Sequence, residues 1–158
     1  MPAASDLPSG GPAVPRLPHT WRPLGVRVAG VVLGAGLLVV CALAWIGFDK
    51  ETRARFTPFQ RGTLVFVGLL AFALWFALVR SRVVARSDRL VVVNGYRRRE
   101  FEWAQVIAVH LPPGAPWVTL DLADGTTVSA MGIQGSDGDR ARRAVRELRA
   151  TIEHQTAG

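Results

Sequence analysis

NGYRRREFEW, residues 94–103, decides the fold. Asn94-Gly95 is a pair that accepts positive φ, which a tight hairpin turn requires. Behind it, Leu90 to Val93 (LVVV) is a β-branched run. Ahead of it, alternation from Tyr96 to Trp103 sets Arg97, Arg99, Phe101 and Trp103 on one face and Tyr96, Arg98, Glu100 and Glu102 on the other. Phe101 and Trp103 are the large apolar rings, so their face is predicted to meet a core.

Moving outward, Arg82 to Arg86 (RVVAR) reads as a strand joined to Leu90–Val93 through the turn Ser87-Asp88-Arg89. Downstream, Val106 to Leu111 is a strand and Pro112 to Pro116 a stiff loop. Trp117 to Leu122 is a strand with Val118, Leu120 and Leu122 on one face, and Asp124-Gly125 turns into Thr126 to Met131. Ser136 and Asp139 have the spacing of a helix capping box, with Asp137 and Asp139 at the positive end of the dipole. Ala141, Ala144, Val145, Leu148, Thr151 and Ile152 then recur at helical spacing, with Arg140, Arg142, Arg143, Arg146 and Arg149 outside. Glu147 and Glu153, four residues after Arg143 and Arg149, are expected to form solvated pairs with them. Strands followed by one amphipathic helix make an α+β domain over 80–154, with 155–158 as a tail. Its predicted core includes Phe101, Trp103, Val118, Leu120 and Leu148.

The upstream half has a different composition. Val28 to Phe48 is 21 residues without a charge, about 31 Å as a helix and matched to a bilayer core of roughly 30 Å. Gly62 to Val79 is a second uncharged run, ended by Arg61 and Arg80. The expected order is a Pro/Gly-rich disordered tail over 1–25, transmembrane helix 1 over 26–48, a short loop over 49–61 and transmembrane helix 2 over 62–79. The tail reading rests on six of the ten prolines and few large apolar side chains. Lys and Arg number ten in the flanks before the first run and after the second (Arg16 to Arg27, Arg80 to Arg99), against four in the loop. The richer side is usually cytoplasmic, so both termini are expected there, in the cell inner (plasma) membrane.

The whole chain has 158 residues, 19 Lys+Arg against 12 Asp+Glu, and one cysteine, Cys41, inside the first apolar run. That removes an internal disulfide framework and a Cys-rich metal site. His19, His110 and His154 are far apart in sequence, and neither a phosphate-binding glycine loop nor a Gly-x-Ser-x-Gly elbow is present. No catalytic, cofactor-binding or metal-binding residue is assigned, and enzyme activity is not expected. Candidate contacts for lipid or a partner are Arg97, Arg98 and Arg99, the juxtamembrane Arg80, Arg82 and Arg86, and Trp117 at the base of the proline loop. Three arginines on one strand alternate faces and cannot all converge on one headgroup. Nucleic acid is not expected, because no aromatic-rich basic groove motif accompanies the arginines. Gly30-x-x-x-Gly34 has the spacing of a helix-association motif, which leaves self-association open.

The order of parts resembles the bacterial PH-like domains of small actinobacterial membrane proteins, the low molecular weight protein antigen 6 PH domain family. The likeness runs from about residue 62 to 153 and is most specific in Asn94-Gly95-Tyr96-Arg97-Arg98-Arg99-Glu100-Phe101-Glu102-Trp103, with Trp103-x-x-Val106 and the Asp124-Gly125 hairpin. The resemblance implies a curved antiparallel sheet closed by a C-terminal amphipathic helix, and no catalytic residues. It also implies seven strands, where six are legible. The expected role is a membrane-anchored, non-enzymatic binding or scaffolding protein displaying a cytoplasmic PH-like domain. Its expected partners are the lipid bilayer, an unidentified membrane protein and weakly held anionic phospholipid. Two other readings stay open: an anionic-lipid sensor using the basic hairpin, and an accessory subunit of a membrane enzyme or transporter complex.

Overall fold

Both apolar runs are helical in the computed structural model, which describes residues 14–157. Helix α1 (Gly25–Gly47) and helix α3 (Pro58–Arg80) have 23 residues each and bury none of them. Length and apolar composition make both candidate membrane spans. Helix α3 begins four residues before the uncharged run because Thr57 and Gln60 form a reciprocal capping box around Pro58.

The expected loop 49–61 is corrected to a folded cap containing a short helix α2 (Lys50–Arg55). Asp49 caps α2: its carboxylate accepts the Thr52 N–H at 2.6 Å, and that backbone hydrogen bond holds its pKa below the usual value. Arg53 donates to the carbonyls of Phe48 and Ile46 at 2.8 and 2.9 Å, satisfying the open C-terminal end of α1. Arg61 donates to the Arg53 carbonyl and lies over the Trp45 ring at 5.4 Å.

Where α1 meets α3, Trp75 lies on Gly30, and a Cβ there would fall 1.7 Å from its indole nitrogen. Gly30 is therefore used inside the chain, whereas Gly34 has nothing within 4 Å.

Among the described residues, the domain has seven strands in two antiparallel sheets. One sheet, in the order β1-β2-β3-β4, contains β1 (His19–Trp21), β2 (Arg82–Ala85), β3 (Arg89–Asn94) and β4 (Arg97–Glu102). The other, β5-β6-β7, contains β5 (Val106–His110), β6 (Trp117–Leu122) and β7 (Thr127–Gln134). Helix α4 (Asp139–Thr156) packs its Ala141, Ala144, Val145, Leu148, Thr151 and Ile152 stripe inward, all buried.

Strand β1 corrects the tail reading over its described part, since residues 1–13 lie outside the described residues. His19, Thr20 and Trp21 pair with Ala85, Val84 and Val83, covering what would otherwise be the open edge of β2. Trp21 becomes 7% exposed, and a three-residue strand in the four-residue stretch between Pro18 and Pro23 is too short to display a period. This is the seventh strand. The α1–α3 hairpin is thus inserted between two paired strands, and both of its ends leave one face of the domain.

The sheets close on each other where β7 crosses β2. A Cβ at Gly132 would lie 2.5 Å from the Arg82 backbone and 2.6 Å from the Val83 nitrogen, so only glycine admits this approach. Asn94 joins the sheets at the same corner, donating to the Ser129 carbonyl at 2.5 Å and accepting the Met131 N–H at 2.9 Å. Inside lie Val83, Leu90, Val92, Val118, Leu120 and Leu148, with Phe101 half-buried against them. Trp103, 5% exposed, is not in the strand but in a single 3-10 turn (Trp103–Gln105), and its indole N–H donates to the Arg86 carbonyl at 3.2 Å.

Three further expectations are corrected. Ser136 does not cap α4; the cap is Gly138 at φ +57°, with no side-chain hydrogen bond, and Asp137 is used elsewhere. The pairs Arg143–Glu147 and Arg149–Glu153 are not formed. Glu147 accepts from the Trp21 indole at 3.0 Å, and Arg149 donates twice to the Val109 carbonyl on the edge of β5. Helix α4 also continues to Thr156, so the tail over 155–158 begins later than expected.

Candidate functional site

The end of the domain from which the helices leave is built by two hydrogen-bonded joints. At α3, Ser81 is fully buried; its hydroxyl donates to the Ala77 carbonyl at 3.1 Å and accepts the Gly95 N–H at 2.9 Å. Gly95 adopts φ +59°, and the turn it makes lies on the small side chain of Ala77. Next in line, the Tyr96 hydroxyl donates to the Ala73 carbonyl at 3.2 Å, and the Arg80 guanidinium lies 6.0 Å from the Tyr96 ring centre. The β3–β4 turn therefore docks along the last two turns of α3.

At α1 the joint is Asp137. Its two carboxylate oxygens accept the N–H groups of Gly25 at 2.7 Å and Leu24 at 3.0 Å, two of the donors that a helix start leaves open. A carboxylate there also meets the positive end of the helix dipole. Its place before α4 reads in sequence as a charge at the positive end of that helix's dipole; only the fold brings it to a helix start 112 residues earlier.

The predicted basic residues divide into groups. Arg82 begins β2 and Arg97 begins β4, both close to the exit of α3 with Arg80. Arg98 and Arg89 converge on Glu100, with Arg89 at 2.9 Å. The hydrogen bonds from Arg89 and then Arg98 hold the Glu100 carboxyl below its ordinary range, and Arg89 does the same to Asp88. Arg97 and Arg99 lie together in a different cleft of about 280 Å³, with Asn94, Thr127, Ser129 and Met131. Arg86 does not belong with the juxtamembrane set. It follows the far end of β2, about 13 Å from Arg82 at the rise of a strand.

Trp117 is half-buried and its loop is folded back rather than free. The Pro116 carbonyl accepts the Gly135 N–H at 3.0 Å, and Ala115 sits so close that a Cβ at Gly135 would fall 2.2 Å from its oxygen. This ties the proline loop to the segment carrying Asp137, hence to the root of α1. Just before the proline loop, at the end of β5, His110 lies 2.7 Å from Asp121 on the neighbouring strand. Among the described residues, no three or more His, Cys, Asp or Glu side chains come together to hold a metal ion.

Sequence reading missed Trp21, Arg22 and the role of Asp137. The arginines of α4 were visible in it, but as a solvated face. The missing signal is three-dimensional: β1 lays residues 19–22 alongside the first half of α4.

Comparison with known proteins bears on the same architecture. The sequence model of the bacterial PH domain matches residues 80–151. Uncharacterized proteins of Mycobacterium bovis and Mycobacterium tuberculosis are 30% identical over 138 residues, covering 85% of this chain and 85% of each relative. That span is much longer than the matched domain, so the likeness extends into the apolar helices. No solved structure matches the chain.

Proposed function

The chain belongs to the bacterial PH domain family, and from that premise we propose that it is a membrane-anchored, non-enzymatic binding or scaffolding protein. In this reading α1 and α3 span the plasma membrane and hold the PH domain on its cytoplasmic face. One observation carries it: β1, before α1, pairs with β2, after α3. The hairpin is therefore inserted between two paired strands of the domain's sheet rather than tethered on a linker. Ser81 and Asp137 fasten its two roots to the domain. A module held so rigidly presents the same faces to every neighbour in the membrane plane, which favours an organising role. Its partners are the bilayer and a neighbouring membrane protein. Self-association through Gly30-x-x-x-Gly34 is not part of the reading, because Trp75 occupies Gly30. The cytoplasmic side is supported by the basic count, ten in the flanks against four in the loop.

A second reading, weak anionic-lipid contact by the basic hairpin, is supported by the position of Arg80, Arg82 and Arg97 beside the exit of α3.

The test is topological. The chain should resist alkaline carbonate extraction from membranes. A reporter active only in the cytoplasm, fused after residue 158, should work, and Thr57→Cys should react with an impermeant reagent from outside. An extractable chain would remove the anchor, and an inactive reporter would move the domain to the other face.

A further inference from the structure

Between β1 and the first half of α4 lies a cleft of about 330 Å³ whose ionisable lining is His19, Arg22, Asp137, Arg140, Arg143 and Glu147. Both acids are already engaged. Asp137 is held by the N–H groups of Leu24 and Gly25, and Glu147 accepts from the Trp21 indole, with His19 4.0 Å away. The three arginines come from elements more than a hundred residues apart, and none forms an ion pair among the described residues. The capacity left in the cleft is therefore for an anion. Planar guanidinium groups suit a phosphate, to which each can offer paired donors.

Position selects the source of that anion. Arg22 lies three residues before the start of α1, and Asp137, on the wall of the same cleft, holds that start. If α1 spans the membrane, the cleft lies in the headgroup layer, where an anionic leaflet supplies phosphodiesters and attracts cations. The basic hairpin is a poorer candidate, since Arg98 is paired with Glu100 and Arg97 and Arg99 line a separate cleft.

We infer that the β1–α4 cleft binds the phosphodiester of one anionic phospholipid from the adjacent leaflet. This rests on the reading of α1 as a membrane span.

The test uses the full chain in detergent, titrated with dioleoylphosphatidylglycerol or dioleoylphosphatidylcholine and observed by native mass spectrometry. One phosphatidylglycerol should be retained in preference to phosphatidylcholine. Arg140→Gln with Arg143→Gln should weaken that retention about thirtyfold, and Arg143→Gln alone about fivefold, from the usual contribution of a cation near an anionic surface. Both side chains are exposed on α4, so folding should be unaffected. Arg146→Gln, exposed on the same helix but outside the cleft lining, should leave retention unchanged. Inorganic phosphate at the lipid's concentration should not displace it.

Equal retention by the Arg140 and Arg143 variants, loss in Arg146→Gln, or no preference over phosphatidylcholine would each overturn the inference. Displacement by inorganic phosphate would make this a free-phosphate site, and displacement by a polyglutamate peptide would make it an acidic-peptide site; either result overturns it too. Carbonate extraction reads the membrane span separately, so failure of the anchor and failure of the cleft are distinguishable.

Discussion

Replacing Gly132 with alanine should force the two sheets apart where β7 crosses β2. The new Cβ would lie 2.5 Å from backbone atoms of Arg82, and ordinary contact begins near 3.4 Å. The strands must therefore separate by about 0.9 Å, because the obstacle is main chain and cannot rotate away. Overpacking of this kind costs about 1 to 3 kcal/mol. The same displacement stretches the two hydrogen bonds by which Asn94 joins β3 to β7, now 2.5 and 2.9 Å. Losing them adds about 1 kcal/mol each. The sum, about 3 to 5 kcal/mol, is a large share of the 5 to 15 kcal/mol typical of a domain. It should lower the melting temperature by at least about 12 °C. Tryptophan fluorescence of the full chain in detergent reads this directly, since Trp21 and Trp103 are both buried in the domain. Gly34→Ala, at a helical site with nothing within 4 Å, is the control and should not destabilise. A Gly132→Ala protein melting within about 2 °C of the parent would refute the close crossing of the sheets.

Trp103→Ala should cost about 3 to 5 kcal/mol through lost burial, whereas Arg98→Ala should barely move the denaturation midpoint; the reverse ranking would place the wrong face of the 96–103 segment inward. Gly30→Leu should lower the midpoint of unfolding by sodium dodecyl sulfate, because the new side chain takes the space of Trp75. If it matched Gly34→Ala, the two helices would not meet at Trp75. Acid should weaken the β3–β4 hairpin. The folded-state pKa of Glu100 is depressed, so its contribution is complete above its unfolded value near 4.5 and is lost as pH falls through the folded one. At low salt Glu100→Gln should flatten the acid limb of a melting-temperature profile. Added salt should shrink the difference, because the carboxylate and its arginines face solvent. An unchanged profile would show that the Arg89–Glu100–Arg98 cluster does not act on stability.

Local signals account for most of the elements. Asn94-Gly95 and Asp124-Gly125 are hairpin turns because their glycines must take positive φ, and both do, at +59° and +79°. Alternation over Trp117–Leu122 and helical spacing from Ala141 to Ile152 identify buried faces, since period and face are properties of consecutive residues. Uncharged runs of bilayer length mark α1 and α3 for the same reason. Even so, the ends of these elements moved, at Thr57–Pro58 and at Thr156, where capping and the last turn decide the limit.

The candidate sites were legible only as ingredients. A run of three arginines is plain in the sequence, but its division between Glu100 on one face and a cleft on the other depends on which strand lies opposite. The sequence by itself determined two apolar helices, six strands, a closing helix and the excess of arginine, all encoded within a few neighbouring residues. Tertiary structure alone decided that His19–Trp21 is the seventh strand, that Gly132 lets the sheets cross, and that Asp137 caps a helix 112 residues away. Each is a pairing between distant segments with little local preference of its own. A three-residue strand between prolines has no period to read, and an aspartate before a helix names no partner until the chain has folded back upon it.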